Sequence, residues 1–179
     1  MNIESKSVCE YLDLSPLGCI PVRLYFQSGN LVKITLGTRY QEDLENYPNG
    51  VYAHFLRGLL SGMALEKFTV PFKLIGSPFQ RRIWRITMTI RHGQTMTYGE
   101  IAEIANCASP QAVGQALKRN PLPIIVPCHR VIGKGGQLTG FSAGIEIKKF
   151  LLQFERIASY ENSHNERQPR QPLELENSS

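Results

Sequence analysis

The sequence lacks long apolar runs, paired metal-type cysteines and any abundance of tryptophan. No stretch approaches the roughly 18 consecutive apolar residues that a membrane-spanning helix needs, so a helical membrane protein is excluded. The opening residues, MNIESKSVCEYL, hold an early acid and no apolar core, and no signal peptide is expected there. The expectation is a cytoplasmic protein, nucleoid-associated if prokaryotic, without membrane contact. Cys9, Cys19, Cys107 and Cys128 include no Cys-x-x-Cys pair, and His54, His92, His129 and His164 form no ligand pair at helical spacing. A disulfide framework is therefore not expected in a reducing compartment. Neither is a structural zinc, another metal or a cofactor. No internal repeat is visible. A single Trp stands beside eight Phe and seven Tyr, enough for a core, and 42% hydrophobic against 20% charged residues excludes a disordered or collagen-like chain.

Positive charge is present in excess, and unevenly. The chain of 179 residues carries a net charge of +5. Residues 1–75 hold seven Lys/Arg against seven Asp/Glu, residues 76–150 ten against three, and residues 151–179 three against five. A basic segment points to a polyanionic partner, with a merely solvated basic face as the alternative.

Residues 1–75 read as an α/β unit. Cys19–Phe26 and Leu31–Leu36 are β-rich runs around a Ser28-Gly29-Asn30 turn, which predicts a hairpin. Tyr52, Phe55, Leu56, Leu59, Leu60 and Met63 recur at helical spacing, and Phe68–Ile75 is either a last strand or a linker. Residues 76–158 read as a mostly α unit. Ser77-Pro78-Phe79-Gln80 and Thr97-Tyr98-Gly99-Glu100 are capping boxes, and Ser109-Pro110 opens a third helix that Pro121 and Pro123 bar from continuing. A fourth helix is predicted from about Ile145 to Ile157, with residues 159–179 a polar tail expected to be disordered.

Two constellations carry chemistry. The short helices near 97–105 and 109–119 have helix-turn-helix proportions, with Gln111, Gln115, Lys118 and Arg119 directed outward toward phosphates or base edges. Helical hairpins also occur in proteins that never meet DNA. The second constellation is PLPIIVPCHRVI at 121–132, where Pro127 ends an apolar run and delivers Cys128, His129 and Arg130 together. A thiol is a strong nucleophile only as thiolate, which a neighbouring imidazole or guanidinium favours. The alternative is a buried structural cysteine beside a surface His and Arg.

IVPCHRVIG at 125–133, NPLP at 120–123, TYGEIA at 97–102, SPFQRRIW at 77–84 and GFSAGIEIKKFLLQFE at 140–155 resemble the O6-alkylguanine-DNA alkyltransferases. The resemblance covers about 77–155. It implies an α/β N-terminal domain, a small antiparallel sheet with helix that is ribonuclease H-like, and a mostly α C-terminal domain with a winged helix-turn-helix. It also implies a monomer that repairs alkylated double-stranded DNA by moving an alkyl group, chiefly methyl, from O6-alkylguanine irreversibly onto Cys128. O4-alkylthymine is the implied secondary substrate. His129 would draw the thiol proton through a bridging water, Glu155 would orient His129, and Asn120 would tie the recognition helix to the active-site segment. Tyr98 would donate to the flipped base, the backbone near Cys128 and Val131 would accept from its amino group, Ser142 would lie by O6, and Leu117 would wall the pocket. Gln111, Gln115, Lys118, Arg119 and Arg130 would meet DNA.

Each role has a plainer alternative: Tyr98 as packing, Asn120 as a helix-ending residue, Glu155 as a solvated helix charge, Ser142 as an N-cap. The chain departs from the family pattern at Gln111, where arginine is common, and at Phe141 and Ala143, where Tyr and Gly are common. Neither Cys9 nor Cys19 reproduces the family's optional N-terminal zinc ligands. Two rival functions remain: a lesion-binding protein without chemistry, and a cysteine hydrolase using Cys128 and His129.

Overall fold

A computed structural model describes residues 5–37 and 50–165. Strands β1 (Ser5–Asp13), β2 (Cys19–Gln27) and β3 (Asn30–Leu36) form an antiparallel sheet in that order. The predicted hairpin is β2–β3, and its turn places Ser28 and Gly29 at positive φ (48° and 76°), a conformation glycine adopts without steric penalty. Strand β1, absent from the sequence-based prediction, pairs with β2 along its full length, Cys9 opposite Arg23. Segment 68–75 makes one parallel bridge, Phe72 to Leu31, and is a linker rather than a further strand.

Helix α1 (Val51–Leu60) buries Ala53, Leu56, Leu59 and Leu60. Its N-terminus has no side-chain cap of its own. Instead the Ala53 N–H donates to the buried Glu10 carboxylate of β1 at 2.6 Å, satisfying one of the four orphan amides of a helix start. A Cβ on Gly50 would fall 1.9 Å from that carboxylate, so the smallest residue precedes the helix.

Helix α2 (Pro78–Met88) and helix α3 (Tyr98–Ile104) begin with the predicted capping boxes at Ser77 and Thr97. Helix α4 (Pro110–Lys118) is capped by Ser109, whose hydroxyl accepts from the Ala112 N–H. The turn before α4 uses Asn106 at φ 45°. Short strands β4 (Met96–Thr97) and β5 (Val131–Ile132) pair in parallel, joining the start of α3 to the segment after the cysteine. Helix α5 (Ile145–Asn165) runs past the predicted end at Ile157, so residues 159–165 of the expected tail are helical; the rest of that tail lies outside the described residues. Among the described residues no helix is long and apolar enough to cross a membrane.

Two apolar cores hold these elements. One gathers Leu24, Leu31, Leu56 and Leu60 with Leu122, Ile124, Leu151 and Phe154, so it crosses the sequence boundary between residues 75 and 76. The Ile34 N–H of β3 also donates to the Pro121 carbonyl at 2.8 Å, tying the sheet edge to the segment that leads to Cys128. The other core packs Ile83 and Trp84 of α2 against Ile101, Val113, Ala116 and Leu117 of α3 and α4, and it includes Cys128 and Val131. Trp84 is 1% exposed and its indole N–H donates to the Ala116 carbonyl at 2.9 Å.

Candidate active site

The chain leaves α4 at Asn120 and reaches Cys128 through a turn closed by a Val126 N–H to Leu122 carbonyl bond. Ile124 in this turn has φ 77°, a region costing a β-branched residue about 1–3 kcal/mol. Asn120 holds the strained turn. Its Oδ1 accepts from the Leu122 N–H (2.9 Å), and its Nδ2 donates to the Val126 carbonyl (3.0 Å) and to Cys128 Sγ (3.1 Å). Asn120 is thus more than a helix-ending residue.

Cys128 starts one turn of 3-10 helix, Cys128–Arg130, and is 4% exposed. Burial pushes its thiol up to about 11, against the opposing bond from Asn120 and the positive charge of Lys148. At neutral pH the sulfur therefore carries its proton, and a base must take it before attack.

His129 is fully buried, and its Nε2 lies 2.8 Å from Glu155 Oε1. An ionised carboxylate can only accept, so Nε2 carries the proton and Nδ1 bears the lone pair. That Nδ1 is buried without a hydrogen-bond partner among the described residues. Burial holds the imidazole below its usual pKa, although Glu155 pulls the other way. Glu155, 1% exposed, also accepts from the Arg130 Nε (3.0 and 3.1 Å) and Nη2 (2.8 Å) and from the Gly93 N–H (3.2 Å). Burial opposes ionisation of Glu155, but the bonds and charges of His129 and Arg130 outweigh it and hold the carboxyl at about 2. Arg130 is the permanent cation of the cluster, since burial keeps His129 neutral.

Arg130 corrects one expectation. Predicted to meet DNA, it is 8% exposed, spent on Glu155 and on the Ile90 carbonyl (2.7 Å). A guanidinium buried this far must be paired, and here the pairing explains its position beside His129.

Tyr98, half-buried at the start of α3, donates its hydroxyl to the Thr139 and Gly140 carbonyls (3.0 and 3.2 Å). Burial raises its pKa, against the Thr139 bond. Leu117 is buried in the same core as Cys128, and Val131, the residue after the Cys128–Arg130 turn, has its carbonyl accepting from Lys148 Nζ at 2.5 Å. Ser142 is exposed in the turn before α5, three residues ahead of Ile145, so it is not that helix's N-cap. On α4, Gln111, Gln115 and Lys118 are exposed opposite the buried Val113, Ala116 and Leu117, with Arg119 exposed at its end. The Gln111 Oε1 accepts from the Ser109 hydroxyl at 3.2 Å.

Lys148 was missed. It is fully buried, donates to the Val131 and Thr139 carbonyls (2.5 and 2.7 Å), and lies 5.8 Å from the Tyr98 ring centre. The signal was its spacing: Lys148, Leu151 and Glu155 stand at i, i+3 and i+7, one face of α5. A groove of about 950 Å³, lined by Gly93, Ile132, Leu138, Leu152, Glu155 and Arg156 among others, reaches the carboxylate end of the site but includes neither Cys128 nor Tyr98.

Residues 78–157 match the family model for the DNA-binding domain of 6-O-methylguanine DNA methyltransferase. A methylated-DNA–protein-cysteine methyltransferase of Methanosarcina acetivorans is 50% identical over 92 residues, 51% of this chain and 59% of that protein. The chain thus spans less than two thirds of that relative's length. The Mycobacterium leprae protein of the same name is 44% identical over 111 residues, 60% of this chain and 67% of its own. The crystal structure of Mycobacterium tuberculosis OGT in complex with DNA superposes with a TM-score of 0.65 at 34% identity, over 84% of this chain and 93% of that one. A thiol held by Asn120 beside a carboxylate-bound imidazole therefore sits in a chain that belongs to the methylated-DNA–protein-cysteine methyltransferase family.

Proposed function

We propose that the protein repairs DNA by taking the alkyl group, chiefly methyl, from O6-alkylguanine onto Cys128. One observation carries this reading: a buried thiol bonded to Asn120, next in sequence to an imidazole whose Nε2 is fixed on Glu155 and whose Nδ1 has no partner among the described residues. In the proposed step the Cys128 proton passes to His129 Nδ1 through a bridging water. Sulfur attacks the alkyl carbon, the S–C bond forms, and the carbon–O6 bond breaks with its electron pair going to guanine. Glu155 stabilises the imidazolium that results, as the carboxylate of a nucleophile–base–carboxylate set does. Tyr98 turns from Thr139 to donate to the extruded base, Ser142 steadies charge at O6, Leu117 walls the pocket, and backbone near Cys128 and Val131 receives the guanine amino group. A thioether is a poor leaving group, so each molecule reacts once.

Helices α3 and α4 serve as the helix-turn-helix of a winged module. The exposed Gln111, Gln115, Lys118 and Arg119 face the duplex, and phosphate contacts make binding fall with salt. The division of labour is a ribonuclease H-like scaffold in 1–75, the transfer unit in 76–158, and a monomer acting in the cytoplasm or nucleoid. O4-alkylthymine is the secondary substrate.

Intact-mass measurement after incubation with an O6-methylguanine duplex tests the reading. The expected gain is one methylene, on Cys128 and once per molecule. Tight binding without mass change would point instead to lesion recognition, and repeated turnover of an acyl substrate to a hydrolase. Cys128→Ala should lose transfer and keep duplex affinity within a few fold in a gel-shift titration.

A further inference from the structure

Lys148 is the one fully buried lysine among the described residues, and its surroundings do not neutralise it. Two carbonyls accept from its ammonium, those of Val131 and Thr139, and no carboxylate among the described residues lies in ion-pair range of it. The groups facing it are Tyr98 from α3, whose hydroxyl shares the Thr139 carbonyl, and Cys128 and His129 from the cysteine turn. Glu155, the acid two turns along α5, is occupied by His129 and Arg130. A cation withdrawn from water without a counter-ion is unfavourable by several kcal/mol unless something compensates it.

We propose that Lys148 is a positioning residue of the transfer site: held between the Val131 and Thr139 carbonyls, its ammonium supplies the positive charge against which the Cys128 thiolate forms. This rests on the repair reading for what the thiolate attacks, but not for the charge that favours the thiolate. The anion missing from the resting site is the one the reaction creates. When the thiol proton leaves for His129, the charge left on sulfur faces an ammonium already in place, and no solvent or side chain has to reorganise to meet it. Burial lowers Lys148 itself to about 8, so the charge is present at neutral pH and fades above that.

The test reads the thiolate directly, without DNA. Iodoacetamide alkylates a cysteine through its thiolate, releasing iodide, and peptide mass spectrometry follows the reaction at Cys128 alone. At pH 7.5, Lys148→Met should slow this alkylation about tenfold or more, while Lys148→Arg, which keeps the cation, should recover most of the rate. Lys148→Gln, still able to donate to one carbonyl, replaces the Met variant if that one does not fold, with the same slowing expected. A folded neutral variant whose Cys128 reacts at the wild-type rate across pH 6–9 would overturn the proposal and leave Lys148 a loop anchor. Methyl transfer from an O6-methylguanine duplex, run beside it, should slow in step. If wild-type protein gains no methyl group but the iodoacetamide pattern holds, the repair reading fails and the role of Lys148 stands.

Discussion

Replacing Glu155 by Gln removes one charge from the most tightly bonded buried cluster and changes almost no volume. Glu155 is held at about 2, against an ordinary value of 4.5. At about 1.4 kcal/mol per pKa unit, that difference amounts to roughly 3 kcal/mol of stability at pH 7. The direction follows from the sign of the shift. A carboxyl depressed in the folded state stabilises above its unfolded value and loses that contribution as pH falls through the folded one, so the window here runs from about pH 5 to pH 2. The Gln variant also leaves the Arg130 guanidinium buried and uncompensated, which places the total near 3–5 kcal/mol. With a urea m-value of about 2 kcal/mol per molar, the unfolding midpoint at pH 7 should drop by about 1.5–2.5 M. Other carboxylates titrate in both proteins and cancel in the difference. By pH 3 about 2 kcal/mol of the gap should be gone. A gap that stays constant from pH 7 to pH 3, or one below about 1 kcal/mol at pH 7, would refute the assignment of Glu155 as the ionised centre of the cluster.

Asn120→Ala should leave the buried Leu122 N–H without its acceptor, take from the Val126 carbonyl one of its two donors (the Cys128 N–H at 2.7 Å remains) and free Cys128 Sγ. The expected result is about 2–4 kcal/mol lost in urea unfolding together with slower single-turnover transfer; wild-type values of both would remove Asn120 from the site. Gln111→Arg adds a cation at the exposed start of α4 and should speed repair in duplex more than in single strands. Equal acceleration on both substrates would show that this position does not limit base extrusion.

The parts of the site that could be read from sequence are those adjacent in the chain. Cys128 and His129 announce themselves because Pro127 ends an apolar run directly before them, and the helix starts of the second half are written in Ser77, Thr97 and Ser109. Glu155 lies 26 residues from its imidazole and was accessible only through resemblance. Arg130 was placed on the DNA-facing surface and Lys148 given no role for a common reason: a basic side chain defaults to the surface, and only the folded neighbours reveal that each is buried against acceptors. Strand β1 escaped because Ser5, Lys6, Ser7 and Glu10 dilute its apolar alternation. Its place comes from pairing with β2 and from Glu10 capping a helix 43 residues away. The apolar core shared across residue 75 was equally illegible, because composition changes at that boundary while packing does not.

The indole bond from Trp84 to the Ala116 carbonyl gives the protein an optical property. Trp84 is the chain's one tryptophan, and it touches α4, whose other face carries Gln111 and Gln115. Emission on tryptophan-selective excitation comes from this joint alone, undiluted by the N-terminal sheet. Any shift of α4 against α2 alters the field at a single fluorophore, so engagement of the outer face can be watched in real time without a label.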